Sequence, residues 1–506
     1  MPPCTGVADE NRRSATASAA AGQMRRPRNQ VARACFGMTA LRRTGTINIG
    51  AMASLAGAFA LFALAALLIV RRQVEFIRLD GLGTLAFRDI IYYPVRAFLE
   101  GVSPYDAERY LSRYPAAYAF PPYLPSTLLI HLPFGLLPLG ISAVVYDAVL
   151  LGLTVLLAFV ALRLNGFRAS AVPVLLVAAL VLFSPSGREN FFLGEVTLQV
   201  ALAAYLALAY ARRKPWISGL GLAVTAFKPT YALPLGLLML ARGDRRAVAL
   251  GVALALVLNL LVVGALVHDG GSLVTVWNQF QDSVRGFEAA ILANDPARSP
   301  YRIDGIALIG RVVGHSLSAP QQALVSIGVL AIAAMALRSP ILGQPNAPVG
   351  LSAGVILTAV LLGFYHQRHD PLVLTLPLVA LARRPLAPSL DGHGLRWFLL
   401  APLIVLFCNY AGGYQVLNRL GYLVQVDSVL ALAQRPQAVL LASLNGAALV
   451  ALLLAYVYLA IRATRLARAT PDSVGHAAAV PLPVHSPSRA GSGLVARGGP
   501  RSPSTE

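Results

Sequence analysis

The segment FRDIIYYPVRAFLEGVSPYD, residues 87–106, contains the densest group of residues that could do chemistry. A helix through it would present on one face Asp89, Tyr92, Tyr93, Arg96 and Glu100. A carboxylate in such a setting can act as a general base on an incoming hydroxyl while its neighbours hold the substrate. We therefore predict a catalytic Asp89 with Tyr92, Tyr93 and Arg96 as substrate contacts. The alternative is an amphipathic helix at the membrane surface whose charges are only solvated.

Lys228 is a lone charge in the apolar stretch AFKPTYALP, residues 226–234, and Pro229 follows it. An ionisable residue inside the membrane is costly and is functional by default. The proline frees backbone groups that favour a wet or protein-lined site. We predict that Lys228 binds a phosphate; the alternative is a side chain that extends to the membrane interface.

A cationic cluster follows an apolar run in GFYHQRHDPL, which contains His366, Arg368, His369 and Asp370. Two histidines and a carboxylate could bind a metal, but their contiguous spacing suits a turn better than a coordination shell. Charge-assisted hydrogen bonds to a phosphate fit the same residues. We predict phosphate contacts for His366 and Arg368, and no metal site.

Polar residues also interrupt the apolar pattern in GRENFFLGEVTLQ, residues 187–199. Glu195 and Gln199 are four residues apart at the start of an apolar run, where they are costly unless they face a cavity. We predict that both line a cavity and contact a substrate there, and that Arg188 contacts an anionic group. A surface ion pair between Arg188 and Glu189 is the alternative for the arginine.

The elements that position these residues must come from a strongly apolar chain. Of 506 residues, 57% are hydrophobic and 13% are charged, whereas a soluble domain has roughly 45–50% apolar and 25% charged residues. This composition excludes a chain that is disordered throughout and argues against a soluble enzyme. It predicts an all-α polytopic membrane protein, folded as a helical bundle.

Apolar runs recur at about the 20-residue length that a bilayer requires. They lie at about 51–70, 140–162, 172–187, 193–211, 247–268, 320–337, 349–365, 371–382, 396–411 and 437–461. Two shorter stretches, 124–137 and the pair 217–227 with 229–241, are broken by proline or lysine and are typical of half-helices. We expect about 10–12 membrane helices and an amphipathic first outer loop.

The net charge of +20 is consistent with a membrane or with nucleic acid. The basic residues are spread over the ends of short loops, whereas a nucleic-acid surface would cluster them on one face. If the N-terminus is cytoplasmic, most of them fall on the cytoplasmic side, as the positive-inside rule requires. We therefore predict no nucleic-acid partner, cytoplasmic termini, and outer loops that carry the unusual residues.

Three regions follow from this pattern. Residues 1–49 are predicted to be a basic disordered arm or, because Met52 opens the first apolar run, an over-extended gene start. Residues 50–461 form the membrane domain, with 71–123 as the outer catalytic loop and 269–319 as a second outer loop. Residues 462–506 are predicted to be a disordered cytoplasmic tail.

Common soluble chemistries lack their signatures. Cys4, Cys35 and Cys408 are scattered and form no CxxC pair, which excludes a disulfide framework and a zinc knuckle. The chain has no Walker-type loop, no HExxH and no GxGxxG after a strand. We predict no cofactor and no ATP-driven pump.

The motifs occur in an order that resembles glycosyltransferase family 87, integral-membrane sugar transferases of the GT-C superfamily that use polyprenyl-phosphate sugars. The motifs that carry the resemblance, over about residues 75–385, are Asp89-x-x-Tyr92-Tyr93, Gly101-x-x-Pro104-Tyr105, Phe120-Pro-Pro-Tyr123, Gly194, Lys228-Pro229, and His366-x-Arg368 with Asp370. The pattern departs at Glu195, where the family has Gln, and at Thr197, where it has Asn.

The resemblance implies a GT-C-like bundle in a bacterial inner membrane, with the active site on the outer face. Asp89 would deprotonate the acceptor hydroxyl, which attacks the anomeric carbon of a polyprenyl-phosphate sugar, most simply a mannose, with inversion. Lys228, Arg368, His366 and Arg188 would bind the donor phosphate. The acceptor would be a glycolipid or glycan.

A transporter or flippase of a lipid-linked or anionic substrate is the alternative function. Lys228, Asp147 and Arg188 would then line the path, and the broken half-spans at 217–241 suit it. The outer loop 71–123 and its Asp89 motif favour the enzyme.

Overall fold

The computed structural model describes residues 49–79, 84–270, 272–290, 294–339, 342, 349–382, 393–426 and 429–469. The predicted N-terminal arm up to residue 48 and the tail beyond 469 lie outside the described residues. By contacts the chain divides into Met1–Ser54 and Leu55–Glu506. The first unit is described only from Ile49, where a helix begins, and the remaining description concerns the second.

The described chain is almost entirely helical. The first helices are α1 (Ile49–Leu79), a π-helix (Phe87–Tyr92), α2 (Tyr93–Leu99), α3 (Ala107–Arg113), α4 (Ser126–Ile130), α5 (Leu132–Gly135), α6 (Leu139–Leu164), α7 (Ala171–Phe183) and α8 (Pro185–Leu193). The central ones are α9 (Thr197–Tyr210), α10 (Pro215–Thr225), α11 (Pro229–Ala241), α12 (Arg245–Gly270), α13 (Leu273–Ala290), α14 (Gly305–Val313) and α15 (Ala319–Leu337). The last are α16 (Val349–Gly363), a 3₁₀-helix (Asp370–Leu374), α17 (Thr375–Ala382), α18 (His393–Cys408), α19 (Tyr414–Arg419) and α20 (Pro436–Ala469).

A short antiparallel hairpin interrupts the helices. Its strands are β1 (Leu423–Val426) and β2 (Val429–Leu432). The Leu432 N–H donates to the Arg298 carbonyl at 2.8 Å, so the hairpin packs on the second predicted outer loop.

The predicted class, an all-α polytopic membrane protein, is confirmed. Among the described residues, five helices are long and apolar enough to cross a membrane, or six if α7 and α8, bent by 73°, count as one span. Six shorter apolar helices lie at Thr197–Tyr210, Pro215–Thr225, Pro229–Ala241, Val349–Gly363, Asp370–Ala382 and Gly394–Cys408. Full-length spans are therefore fewer than the predicted 10–12, because Pro, Gly and charged residues end several apolar runs early.

The interior is built from these shorter helices. Every residue of α16 from Gly350 to Gly363 is buried, as is nearly all of α9. Small residues allow close approach, as in other membrane bundles. At Gly221 in α10, an added Cβ would lie 2.5 Å from the Ala203 carbonyl of α9. The long helices α1 and α12 instead expose large apolar side chains, as expected of surfaces that face lipid.

The turn between α8 and α9 packs against the π-helix that begins at Phe87. Gly194 has φ +72°, a left-handed conformation that favours glycine. A Cβ at Gly194 would lie 2.6 Å from the Phe87 Cβ, and the Thr84 N–H donates to the Phe192 carbonyl at 3.0 Å. Glycine at this turn therefore lets the π-helix dock beside the start of α9.

Substitution of Gly354 tests the packing of α16. A Cβ there would collide with the Tyr456 phenol of α20. Gly354→Val should lower stability by roughly 1–3 kcal/mol through overpacking, measured as a lower Tm of the purified protein in detergent. Gly328→Ala on α15, where no atom lies within 4 Å of an added Cβ, is the control and should leave Tm unchanged or slightly higher. An unchanged Tm in Gly354→Val would contradict the packing.

Candidate active site

Asp89 lies in the π-helix and is completely buried. Its Oδ2 accepts a 3.0 Å hydrogen bond from the Ala117 N–H, and the Arg88 guanidinium lies 3.8 Å from Oδ1. Burial raises the pKa of Asp89 to about 6, although the Ala117 N–H and Arg88 act in the opposite direction. A carboxyl group whose pKa is close to neutral pH can accept a proton during a reaction.

The alternative of a solvated amphipathic helix does not fit the first part of the segment, because protein covers Asp89, Tyr92 and Tyr93, whereas Arg96 and Glu100 remain partly exposed. The Tyr92 hydroxyl donates to the Leu137 carbonyl at 3.1 Å, and Arg96 donates to the Gly135 carbonyl at 3.3 Å. Arg96 also pairs with Glu100 at 2.9 Å. Tyr92, at the end of the π-helix, and Arg96 of α2 therefore anchor these helices to the segment 132–137.

Tyr93 is buried between aromatic rings. Its ring centroid lies 5.4 Å from that of Tyr92 and 6.3 Å from that of Tyr114. Burial raises the pKa of Tyr93, with smaller effects from Arg88 and Asp89. Tyr93 is therefore an electrostatic neighbour of the predicted base.

Asp370 is the centre of a second group that the fold brings together. Its Oδ1 accepts hydrogen bonds from Lys228 Nζ at 3.0 Å, the Tyr231 hydroxyl at 2.8 Å and the Thr197 hydroxyl at 3.1 Å. These donors come from the start of α11 and the start of α9, two elements far apart in sequence. A buried carboxylate needs such compensation.

The 364–370 loop surrounds the other oxygen of Asp370. The Gln367 N–H donates to Oδ2 at 2.8 Å, and His366 Nδ1 lies 3.1 Å from the same atom. His366 is fully buried, and among the described residues its Nε2 has no hydrogen-bond partner. Burial lowers the pKa of His366, against the effect of Asp370. The imidazole therefore has one nitrogen held by the protein and one available to a ligand.

Glu195 and His369 complete this group. His369 Nε2 lies 3.7 Å from Glu195 Oε2 and 3.6 Å from Asp370 Oδ1. The group thus combines two acidic side chains, one lysine and two histidines within one buried cluster.

Tyrosines connect Asp89 to the Asp370 group. Burial and then the carboxylates of Asp89 and Glu195 raise the pKa of Tyr118 well above its ordinary value. Burial, Glu195 and Asp370 do the same for the pKa of Tyr123. Tyr118, Tyr123 and Tyr365 are half-buried and close enough to interact electrostatically with one another, and we call them the tyrosine wall. Tyr118 lies within electrostatic reach of both Asp89 and Glu195.

The second predicted outer loop packs on the same wall. The Arg302 guanidinium lies 5.0 Å from the centroid of the half-buried Tyr365 ring and forms a two-pronged 2.9 Å pair with Asp304. The Ile303 N–H donates to the His366 carbonyl at 3.0 Å. The 294–304 segment thus holds the 364–370 loop in place.

Gln199 lies beside the Asp370 group and has a partner within the bundle. Its Oε1 is 2.8 Å from His131 Nε2, and His131 Nδ1 is 2.9 Å from the Thr127 carbonyl. His131 is thus hydrogen-bonded in the bundle.

The four residues predicted to bind phosphate fall into two groups. Lys228 and His366 contact Asp370, as described above. Arg368 instead donates to the Asn409 carbonyl at 3.2 Å, and the Arg188 guanidinium lies 5.9 Å from the centroid of the Tyr410 ring. The 364–370 loop therefore directs His366 and Arg368 to different neighbours.

Four residues of this site carried no predicted role. They are Asp370, His369, Tyr231 and Thr197. Asp370 and His369 belonged to the cluster noted in the sequence, and Tyr231 follows Lys228 by three residues, which is helical spacing. In the part of the chain that the structure describes, no group of three or more His, Cys, Asp or Glu residues could hold a metal ion.

Two helices, α9 and α11, begin at this site and end near a pair of arginines. α9 begins at Thr197 and is followed by Arg212, whereas α11 begins after Lys228 and is followed by Arg242. Both arginines pair with Asp244, at 3.1 Å and 2.5 Å. The site and this basic cluster therefore lie at opposite ends of the same helices.

Comparison with known proteins agrees with the sequence motifs. The sequence model of glycosyltransferase family 87 matches residues 120–364, which confirms the predicted resemblance over that part. This range includes Lys228 and Glu195 but neither Asp89 nor His366.

A curated relative from Mycolicibacterium smegmatis is 27% identical over 243 residues and is named polyprenol-phosphate-mannose-dependent alpha-(1-2)-phosphatidylinositol pentamannoside mannosyltransferase. The match covers 45% of this chain and 58% of the relative, so the chain spans less than two thirds of that protein's length. No solved structure matches the chain.

The raised pKa of Asp89 predicts a pH-dependent effect of Asp89→Asn on stability. The folded state binds the Asp89 proton more tightly than the unfolded state, whose pKa is near 3.9. The carboxylate therefore destabilises the fold above about pH 6, and this cost disappears as the pH falls toward 4.

We expect Asp89→Asn to raise Tm at pH 8 and to leave it unchanged near pH 4. At about 1.4 kcal/mol per pKa unit, the gain in the free energy of unfolding at pH 8 is at most about 3 kcal/mol. Thermal unfolding in detergent at both pH values measures this. A variant less stable than the wild type at pH 8 would show that the carboxylate stabilises the fold instead.

Proposed function

We propose that this chain, which matches glycosyltransferase family 87 over residues 120–364, is a membrane glycosyltransferase that moves a sugar from a polyprenyl-phosphate donor to a lipid or glycan acceptor. The observation that carries the proposal is the arrangement of two groups around one tyrosine wall. Asp89, a buried carboxyl with a raised pKa, lies on one side, and Lys228 with His366 lies on the other. Asp89 can act as the general base, and Lys228 with His366 can bind the phosphate of the leaving group.

The reaction is a single displacement. Asp89 takes the proton of the acceptor hydroxyl, and the resulting oxygen attacks the anomeric carbon of the donor sugar. The new glycosidic bond forms as the bond from that carbon to the phosphate oxygen breaks. The polyprenyl phosphate leaves with the bonding electron pair, and the anomeric configuration inverts because attack and departure occur on opposite faces.

The donor phosphate lies against Lys228 and His366 in this proposal. Lys228 is held by Asp370 at 3.0 Å, and the free Nε2 of His366 can donate to a phosphate oxygen once protonated. Two carboxylates, Asp370 and Glu195, lie near this lysine, so an anionic donor favours the protonated form of His366. The charge of Lys228 and of His366 in that form would stabilise the leaving phosphate.

The donor sugar is proposed to be mannose and the acceptor a glycolipid, by analogy with the relative from Mycolicibacterium smegmatis. Glu195 and Gln199 contact the sugar or acceptor in this proposal. Among the described residues the Glu195 carboxylate pairs with His369 at 3.7 Å, a long contact that lets it reorient toward sugar hydroxyls, whereas Gln199 is held by His131 at 2.8 Å.

The location of the site is proposed to be the outer face of a bacterial inner membrane, with cytoplasmic termini. The basic cluster of Arg212 and Arg242 lies at the far end of α9 and α11 from Lys228. A cytoplasmic location for those arginines, as the positive-inside rule favours, puts the site on the opposite face. The lipid-linked donor would then reach it from the bilayer.

Asp89→Asn tests the base. The variant should insert and fold but lose sugar transfer by at least about 100-fold, the range of a general base. The wild-type rate should fall as the pH drops below about 6, because Asp89 becomes protonated. Purified protein in proteoliposomes with a polyprenyl-phosphate sugar gives the rate.

The matched control for the base is Asp282→Asn, an exposed carboxylate in the second outer loop that should leave the rate unchanged. Full transfer by Asp89→Asn would remove Asp89 as the base. Movement of intact donor across the bilayer without any product would favour the transporter.

Lys228→Met tests the phosphate contact. Loss of one charge-assisted contact of 1.5–3 kcal/mol should raise the donor KM about tenfold or more. Because the single change leaves Asp370 undercompensated, the double variant Lys228→Met with Asp370→Asn replaces the buried pair by neutral groups and protects the fold. Steady-state rates at varied donor and fixed acceptor measure the effect.

The control for Lys228 is Lys214→Met, an exposed lysine before α10. A donor KM that stays at the wild-type value in both Lys228 variants would reject the phosphate contact.

A further inference from the structure

Arg368 is a buried cation with no carboxylate within 4.0 Å among the described residues. Its exposed fraction is 6%, its hydrogen bond within the described chain goes to the Asn409 carbonyl at 3.2 Å, and its Nε is buried with no acceptor there. Two other buried arginines have more partners, although the Nε of Arg311 also has no acceptor among the described residues. Arg302 pairs with Asp304, and Arg311 donates to three backbone carbonyls at 2.6–2.9 Å. An arginine cannot lower the cost of burial by losing its proton.

Arg188 reaches the same segment from the bent helix pair. It lies over the Tyr410 ring, next in sequence to the Asn409 carbonyl that accepts from Arg368. Within the described residues no carboxylate lies within 4.0 Å of either guanidinium. Arg72 adds a further positive charge, close enough to Arg188 to repel it, while Glu189 is an acidic neighbour of Arg72.

The backbone at this place is shaped around Arg368. A Cβ on Gly413 would lie 3.2 Å from a terminal guanidinium nitrogen of Arg368 and 2.9 Å from the Tyr410 carbonyl. Glycine therefore lets the backbone approach the Arg368 guanidinium closely and leaves the face of the guanidinium that turns away from Gly413 for another partner. Two planar, multiply donating cations at this place match the geometry of a phosphate.

The place where the two arginines lie borders the lipid-facing side of the bundle. Tyr410 is 45% exposed, and its hydroxyl donates to the carbonyl of Phe183 at the end of α7. On α7 itself, Leu176 and Leu180 are 44% and 42% exposed. An apolar helix surface beside an anion-binding pair suits a lipid, whose chains can lie along α7 while its headgroup reaches the arginines.

We propose that Arg188 and Arg368 form a second anion site, separated from Lys228 by the 364–370 loop, that binds the phosphate of an anionic membrane lipid. The phosphate supplies the counter-charge that no carboxylate among the described residues offers within 4.0 Å of the two guanidinium groups. Within the proposed function, which this step extends, the lipid is the phosphate-bearing acceptor. A phospholipid bound only as part of the structure has the same chemistry, and the experiment separates the two.

Lipid binding by the full purified chain in neutral detergent tests the site without relying on sugar transfer. The probe is short-chain phosphatidylglycerol, with an uncharged glycosyl diacylglycerol as the phosphate-free comparison, and native mass spectrometry measures the bound fraction. We expect the wild type to prefer phosphatidylglycerol. Arg368→Gln should weaken its binding at least tenfold, and Arg188→Gln with Arg368→Gln should abolish the preference.

Three variants keep the test decisive. Arg285→Gln removes an exposed arginine of the second outer loop and should bind as the wild type does. If the double glutamine variant has a lower Tm, Arg368→Lys replaces it in the test. This variant retains the charge and should retain part of the phosphatidylglycerol binding. Lys228→Met with Asp370→Asn, which keeps the buried pair neutral, should leave phosphatidylglycerol binding unchanged, because that lysine serves a different site.

Kinetics then identify the source of the phosphate. A higher acceptor KM in Arg368→Gln, at unchanged donor KM and kcat, assigns the phosphate to the acceptor; unchanged kinetics with lost lipid binding assigns it to a structural phospholipid. Equal phosphatidylglycerol binding by the wild type and the double glutamine variant would overturn the proposal. Loss of binding in Lys228→Met with Asp370→Asn, at unchanged Tm, would also overturn it, by moving the anion to the Lys228 site.

Discussion

A single buried carboxylate, that of Asp370, sets the arrangement of the site. Moving a charge out of water is costly unless the protein replaces its lost hydrogen bonds. Here the start of α9, the start of α11 and the 364–370 loop all direct donors to the two oxygens. Three elements that are distant in sequence must therefore meet at one point, and removal of any donor would leave part of that charge uncompensated.

The position of the base depends on this point through the turn before α9. Thr197, which donates to Asp370, follows closely after Gly194, against which Phe87 packs. Asp89 is two residues beyond Phe87 in the same π-helix. The distance between the base and the phosphate-binding side is therefore determined by a short, well-packed path through the protein rather than by a mobile loop.

Sequence reasoning recovered the class of the fold and the residues with unusual charge, since both depend on local composition. The role of Asp370 was not accessible, because a carboxylate looks unsuited to a phosphate site until its donors from other helices are known. Helical periodicity placed Asp89 and Tyr92 on a polar face, but it could not show that residues 114–137 cover that face. The length rule for membrane helices did not predict that several apolar helices, such as α9 and α16, would be shorter than a bilayer is thick; most of their residues are covered by protein, so they need not match that thickness.

The separation of the arginines from Lys228 has the same origin. From the sequence alone, the four predicted phosphate-binding residues were expected to bind a single phosphate on the outer face. The 364–370 loop instead has His366 and Arg368 on neighbouring positions with different partners. The direction of each side chain along this loop depends on the tertiary structure, and it divides one apparent cluster of cations into two groups.

The π-helix that carries Asp89 has a consequence for how this segment tolerates changes in length. A π-turn accommodates one residue more than an α-turn, and such turns are found mainly at functional positions. Deletion of one residue between Phe87 and Tyr92 would allow a regular α-helix to continue into α2, which the backbone favours. The residues before the deletion would then rotate by about 100° relative to those after it. Asp89 would turn away from the Ala117 N–H while α2 kept its own packing, so the segment could be a well-formed helix and still not present its carboxylate.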